Sequence, residues 1–312
     1  MRTSHWLPGF LTLSAIWGSS FALIKIAVDA GVAPMWVALW RCLFGALALF
    51  AICWARRLPL PRDRATWGHA LVVAALLNAV PFVLLAHGET QVSSLLAGVL
   101  NATTPLNTLI FALLLVPGER PTGRRLLGLL VGFAGVLVVL GVWNGFDGGS
   151  VTGSVFCLLA TACYGAGFAY TRRFFSGRAG SAASLSAAQI GCATLELTLV
   201  APFAAGPPVW PGLPAAAGLL ALGVIGTGVA YILNLRVIQV AGPTVAAAVT
   251  YVTPLWSTLI GALLLAEPLG PHTVAGGLLV IGGVLLINRS AAGRGPTWGQ
   301  SETATGRTWA TR

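Results

Sequence analysis

Charged side chains are scarce in this sequence, so each one inside an apolar stretch needs a reason. Glu196 is the one acidic residue well inside such a stretch. An isolated carboxylate in a hydrocarbon setting is costly, and it marks a proton or solute pathway by default. Glu196 can carry a coupling proton or hold an amine; set toward the end of its run, it can also sit wetted or paired without function. Arg41 lies about two turns into its own run. A guanidinium there draws a carboxylate or similar anion, or it locks onto backbone carbonyls or onto Glu196. Trp17, Tyr164, Tyr231, Tyr251 and Trp256 are rings with polar tips, suited to amphipathic molecules. Ser20, Asn78, Asn101, Gln189 and Thr227 add hydrogen-bonding groups beside them. The plainer reading of this set is helix packing, with polar groups bonded across helices. Pro105 and Pro254 interrupt two runs. A mid-helix proline removes a hydrogen bond and crowds the carbonyl one turn back, which makes kinks or gates. Lys25 with Asp29 reads as an i,i+4 ion pair with a snorkelling lysine. His87 and Glu89 close an apolar run on the outer side; a pH-sensitive role is open to them, and the plainer reading is an exposed loop pair. No HExxH, nucleophile elbow or phosphate loop is present, so nothing points to catalysis. The five cysteines have neither disulfide nor zinc spacing. The sequence calls for no metal and no cofactor.

These residues need elements to hold them, and composition says which kind. Of 312 residues, 56% are hydrophobic and 8% charged, with a mean hydropathy of +0.85. Soluble domains carry roughly 25% charged residues. A water-facing surface cannot be covered here, which excludes a soluble enzyme, a nucleic-acid-binding module and a disordered chain. The net charge of +10 does not argue for nucleic acid, because the basic residues sit in short gaps between apolar runs. Those runs fall near 8–28, 34–54, 66–86, 92–116, 124–142, 152–172, 181–203, 214–235, 243–266 and 271–288. A spanning helix needs about 20 apolar residues, and in lipid each run must be a helix to satisfy its own backbone. The expected class is an all-α integral membrane protein with ten transmembrane helices. The first run is too long for a signal-peptide core and reads as a retained helix.

Every basic residue except Lys25 and Arg41 lies at the termini or in the gaps after runs two, four, six and eight. That alternation places both termini in the cytoplasm. The stretch 289–312 is rich in Gly, Ser, Thr and Arg and reads as a disordered cytoplasmic tail.

The two halves resemble each other. Trp17-Gly-Ser-Ser-Phe21-Ala22 is echoed by Tyr164-Gly-Ala-Gly-Phe168-Ala169. Thr104-Pro-Leu106 with Thr108-Leu-Ile is echoed by Thr253-Pro-Leu255 with Thr258-Leu-Ile. Glu119 and Glu267 follow, then Gly128 and Gly276 at equal distance. Each half has five runs, so the second must be inverted relative to the first. Inverted repeats put a binding site near the midplane, where the halves meet. The expected division is residues 1–147, 148–288 and the tail.

The Trp17-Gly-Ser-Ser-Phe21 segment with Lys25, Arg41, the Thr-Pro pairs and Gly118-Glu119-Arg120-Pro121 resemble the EamA-type family of the drug/metabolite transporter superfamily, over about residues 10–288. The resemblance implies a 5 + 5 inverted-repeat bundle moving small metabolites, often outward. It departs at Ala266-Glu267-Pro268, which lacks the Gly before Glu, and at Gln189, which stands where the first half has Arg41. The function expected is a secondary transporter in the inner membrane, exporting a small amphipathic metabolite, amino acids first, by alternating access. A multidrug exporter is the alternative within transport; a membrane-embedded enzyme or sensor is the remote one. The partners expected are a small-molecule substrate and the lipid bilayer, with no nucleic acid; oligomeric state is left unassigned.

Overall fold

The computed structural model describes residues 6–92, 94–117, 122–144, 150–265 and 271–292. Glu119, Glu267, their neighbouring loop residues and the stretch 293–312 lie outside the described residues. All regular structure among the described residues is helical. Seven helices are long and apolar enough to cross a membrane: α1 (Leu7–Asp29), α2 (Pro34–Ala55), α3 (Arg64–Glu89), α4 (Leu96–Leu115), α6 (Val151–Phe175), α7 (Ala182–Ala204) and α8 (Leu213–Ala241). Between α4 and α6 runs α5 (Gly123–Val139); after α8 come α9 (Val249–Leu265), prefaced by the turn Pro243–Ala247, and α10 (Pro271–Ala292).

The helix ends follow local chemistry. Asp63 accepts the Thr66 N–H at 2.7 Å, and Ser181 accepts the Ser184 N–H at 3.1 Å. Each cap satisfies one amide of a first turn that has no helical partner. Prolines begin α2 and the turn after α8, where a missing N–H costs nothing. Gly242 takes φ of 90° between α8 and that turn, a conformation open mainly to glycine.

Helix α1 packs on α9 and α8, and α6 packs on α4 and α3; α2 lies along α7, and α5 along α10. The last pair meets through glycine. A Cβ added to Gly283 would lie 2.5 Å from the Gly132 nitrogen, and one on Gly135 would lie 2.6 Å from the Val280 nitrogen. The outer surface is apolar: Phe203 is 91% and Trp54 85% exposed. Water would penalise such a surface and lipid does not.

Helices α3, α6 and α8 each contain one wide π turn, at Ala75–Ala79, Thr171–Phe175 and Val224–Val229. Such bulges sit preferentially at functional positions. The α3 turn precedes Pro81, which has no N–H to continue the α ladder. The α8 turn carries Gly226 and Gly228 and packs on α2, where a Cβ on Gly45 would lie 2.9 Å from Thr227 Cγ2.

Candidate functional site

A central cavity lies beside the π turns of α3 and α8: Leu77 of the first lines it, and residues bonded to the second line it too. Trp17, Ser20 and Ile24 of α1 line it, with Arg41 of α2, Leu77, Phe82 and Leu85 of α3, and Asn101 and Thr104 of α4. Tyr164 and Phe168 of α6, Tyr231 and Asn234 of α8, and Thr250 and Thr253 of α9 complete it. About 60 Å³ is open to the centres of water-sized spheres. One water needs about 10–15 Å³ by that measure, so the cavity has room for several waters.

Three contacts fix the aromatic wall. Trp17 Nε1 donates to the Gly226 carbonyl at 3.2 Å, and its ring meets Tyr231 edge-on at 6.0 Å. The Tyr231 hydroxyl donates to the Leu77 carbonyl at 2.7 Å. Both accepting carbonyls lie within π turns, where i→i+5 bonding leaves the ladder irregular.

Arg41 is the one charged residue of the lining. Its Nε donates to Thr227 Oγ1 at 2.9 Å, and its guanidinium carbon stands 3.9 Å from the Phe82 ring centroid. The Gly226 carbonyl is 3.5 Å from an Nη. The side chain is buried, and no carboxylate pairs with it among the described residues. Guanidinium offers five N–H donors, so positive charge and spare donors face the cavity. The hydroxyls around it are already committed. Thr104 donates to the Asn101 carbonyl at 2.7 Å, Thr253 to the Thr250 carbonyl at 2.9 Å, and Ser20 to the Ile16 carbonyl at 3.0 Å. Asn234 Oδ1 is buried without a partner and adds an acceptor.

Two of those bonds answer the prolines. Pro105 deprives the Asn101 carbonyl of a helical N–H, and Pro254 does the same to Thr250. In each case the preceding threonine, Thr104 or Thr253, supplies its hydroxyl instead. Pro105 stands in the first turn after a break at Ala102–Thr103, whereas Pro254 lies inside a continuous helix.

The remaining residues singled out from the sequence sit elsewhere. Gln189 Nε2 donates to Asn78 Oδ1 at 2.7 Å, a fully buried bond between α7 and α3. Tyr251 packs over Gly132 and donates to the Leu129 carbonyl at 3.0 Å, behind the cavity wall. Trp256 Nε1 donates to Ser14 Oγ at 2.8 Å, joining α9 to α1. Glu196 is half-buried on α7, outside the lining, with one oxygen buried and unpartnered. Lys25 and Asp29 form the expected pair at 2.7 Å.

Glu89 corrects the reading of an exposed loop pair. His87 is exposed and bonded to the Val83 carbonyl, but Glu89 is only 3% exposed, and both its oxygens lack partners. The signal was its spacing: Phe82, Leu85 and Glu89 share one helical face. That signal becomes legible only once Phe82 and Leu85 are known to face a cavity.

The EamA-like transporter family profile matches this chain twice, over residues 5–141 and 151–289. An uncharacterized inner membrane transporter of Escherichia coli K12, YedA, is 28% identical over 295 residues, covering 92% of each chain. A probable terminal-alkyne amino-acid exporter of Streptantibioticus cattleyicolor is 27% identical over 303 residues, covering 94% of this chain and 97% of its own. A crystal structure described only as that of a protein superposes with a TM-score of 0.75 at 21% identity, covering 94% of this chain and 99% of its own; the likeness shows a shared fold.

Proposed function

Since the chain belongs to the EamA-like transporter family, we propose that it exports a small amphipathic metabolite, an amino acid first, across the inner membrane by alternating access. It is a transporter and not an enzyme. The observation that carries the substrate class is Arg41: a buried guanidinium with spare donors, set in an aromatic wall. Arginine meets a carboxylate in bidentate fashion, while Trp17, Tyr231 and Phe82 suit an apolar side chain. The amino-acid exporter from Streptantibioticus agrees with that reading, and YedA agrees with an inner-membrane site.

The architecture we infer is ten spans in two inverted halves, with both termini cytoplasmic. The helix pairings support it, because α1 on α9 and α8 corresponds to α6 on α4 and α3 when the halves are exchanged. Matching π turns in α3 and α8 and matching Thr-Pro devices in α4 and α9 support it further. The site at the meeting of the halves is where such transporters bind their solutes. On this reading Pro105 and Pro254 mark the helices that gate the cavity.

The multidrug alternative calls for a carboxylate to hold cationic drugs, and none lines the cavity among the described residues. The test is efflux from proteoliposomes preloaded with amino acids, other small metabolites and cationic dyes, followed by mass spectrometry against protein-free vesicles. Selective loss of amino acids is expected. Loss of the dyes alone, or of no amino acid, overturns the proposal.

A further inference from the structure

Glu89 is buried like a core residue and bonded like none. It ends α3, is 3% exposed, and has no hydrogen-bond partner for either carboxyl oxygen among the described residues. Its backbone is tightly held. A Cβ on the neighbouring Gly88 would lie 2.5 Å from Cys157 Sγ and 3.1 Å from the Gly153 carbonyl of α6. One turn back along the same helical face, Leu85 lines the cavity, and Phe82 lies a further turn in. Glu89 therefore stands directly over the cavity without lining it, so a solute in the cavity does not touch it in this conformation.

The surrounding groups leave it unneutralised. On its own helix, His87 is exposed and turned to the Val83 carbonyl. From α2, Arg41 is held on Thr227 and Phe82. From α1, Lys25 is paired with Asp29. From α6, Cys157 and Tyr164 are the titratable groups within electrostatic reach. The described part of α4 carries no titratable side chain. No ion pair joins Glu89 to any of these among the described residues. A carboxylate anion stripped of water and of counter-charge is strongly disfavoured, whereas the neutral acid can stay.

We propose that Glu89 is the proton-coupling group of this transporter. It takes one proton from external water onto one carboxyl oxygen and holds it as the neutral acid while α3 and α6 are packed as here. It releases that same proton to water once the cavity opens to the cytoplasm. One proton thus enters for each solute that leaves. The assignment rests on the transport reading of the cavity and moves the coupling role from Glu196, which is half-buried and set outside the cavity wall.

Two measurements test it. Infrared spectra of the protein in phospholipid vesicles, from acid to alkaline pH, report protonated carboxyl groups and need no substrate. A protonated-carboxyl band should be present at neutral pH, lost in Glu89→Gln and kept in Glu196→Gln. Absence of the band from the wild type, or its loss in Glu196→Gln alone, overturns the proposal. The second uses vesicles preloaded with leucine and a trapped pH dye. The wild type should take up protons as leucine leaves; Glu89→Gln should exchange internal for external leucine with proton uptake abolished. Proton uptake by Glu89→Gln at the wild-type rate overturns the proposal. If the wild type moves no leucine, that outcome counts against the amino-acid reading, and the infrared result alone decides Glu89.

Discussion

Arg41 and Gln189 do the same mechanical work on opposite sides of the bundle. Arg41, on α2, donates to Thr227 in the π turn of α8 at 2.9 Å; Gln189, on α7, donates to Asn78 in the π turn of α3 at 2.7 Å. Each bond ties a helix to the irregular turn of its neighbour, where a wide loop leaves space for a polar side chain. The chemistry differs. The amide pair is neutral and buried outside the cavity lining, with Asn78 Nδ2 left without a partner among the described residues. Arg41 clasps Thr227 with Nε, reaches the Gly226 carbonyl with one Nη at 3.5 Å, and still lines the cavity with its charge. The clasp occurs twice, and on the proposed reading the selectivity is built on one side only. On the proposed reading, that inequality is what orients a molecule with a carboxylate at one end and an apolar group at the other.

The comparison breaks most readily at Arg41. Arg41→Gln makes the two clasps alike and should weaken carboxylate recognition about 10–100-fold, the worth of a charge-assisted hydrogen bond. Counterflow with leucine against leucinol reads this: the preference for the acid over the alcohol should collapse in the variant. An equal loss for both would make Arg41 a structural clasp only. The neutral clasp should break in stability instead. Asn78→Leu or Gln189→Leu alone strands a buried amide and should cost about 1–3 kcal/mol. The double variant should recover much of it, as seen in thermal melts in detergent. Thr104→Val and Thr253→Val each leave a proline-orphaned carbonyl unmet, for about 1 kcal/mol. Equal losses at the two sites would sharpen the symmetry of the frame, and unequal ones would show which half bears the load. Lys25→Ala should do least, about 0.3–0.5 kcal/mol for an exposed i,i+4 pair, with leucine transport unchanged. A large transport defect there would mean that charge anywhere on the path matters, and that Arg41 is not special.

Much of the frame was legible from residue types. Thr-Pro in two places, Gly128 and Gly276 in register, and arginines confined to alternate gaps are local signals with local causes. What stayed hidden depends on helical phase. When every face of a helix is apolar, periodicity does not say which face looks inward. So Tyr251, a plausible cavity aromatic, fills the gap above Gly132 instead, and Glu89, apparently at a wet helix end, is buried. The π turns were equally invisible, since Ala75–Ala79 and Val224–Val229 share no composition. Of the α10 glycines, Gly276 and Gly283 meet α5 backbone, while nothing lies within 4 Å of a Cβ placed on Gly282. One heptad face is used and its neighbour is not.

The α5–α10 contact has a consequence for how the protein moves. Two helices that touch backbone to backbone at Gly128, Gly132, Gly135, Gly276 and Gly283 have few rotamers between them to rearrange. They can neither part slightly nor slide without losing contact along the whole line. That seam acts as an axle. If the protein works by alternating access as proposed, the working strokes fall to the other helices: a crosslink across the seam should leave turnover intact, while one across the cavity should stop it.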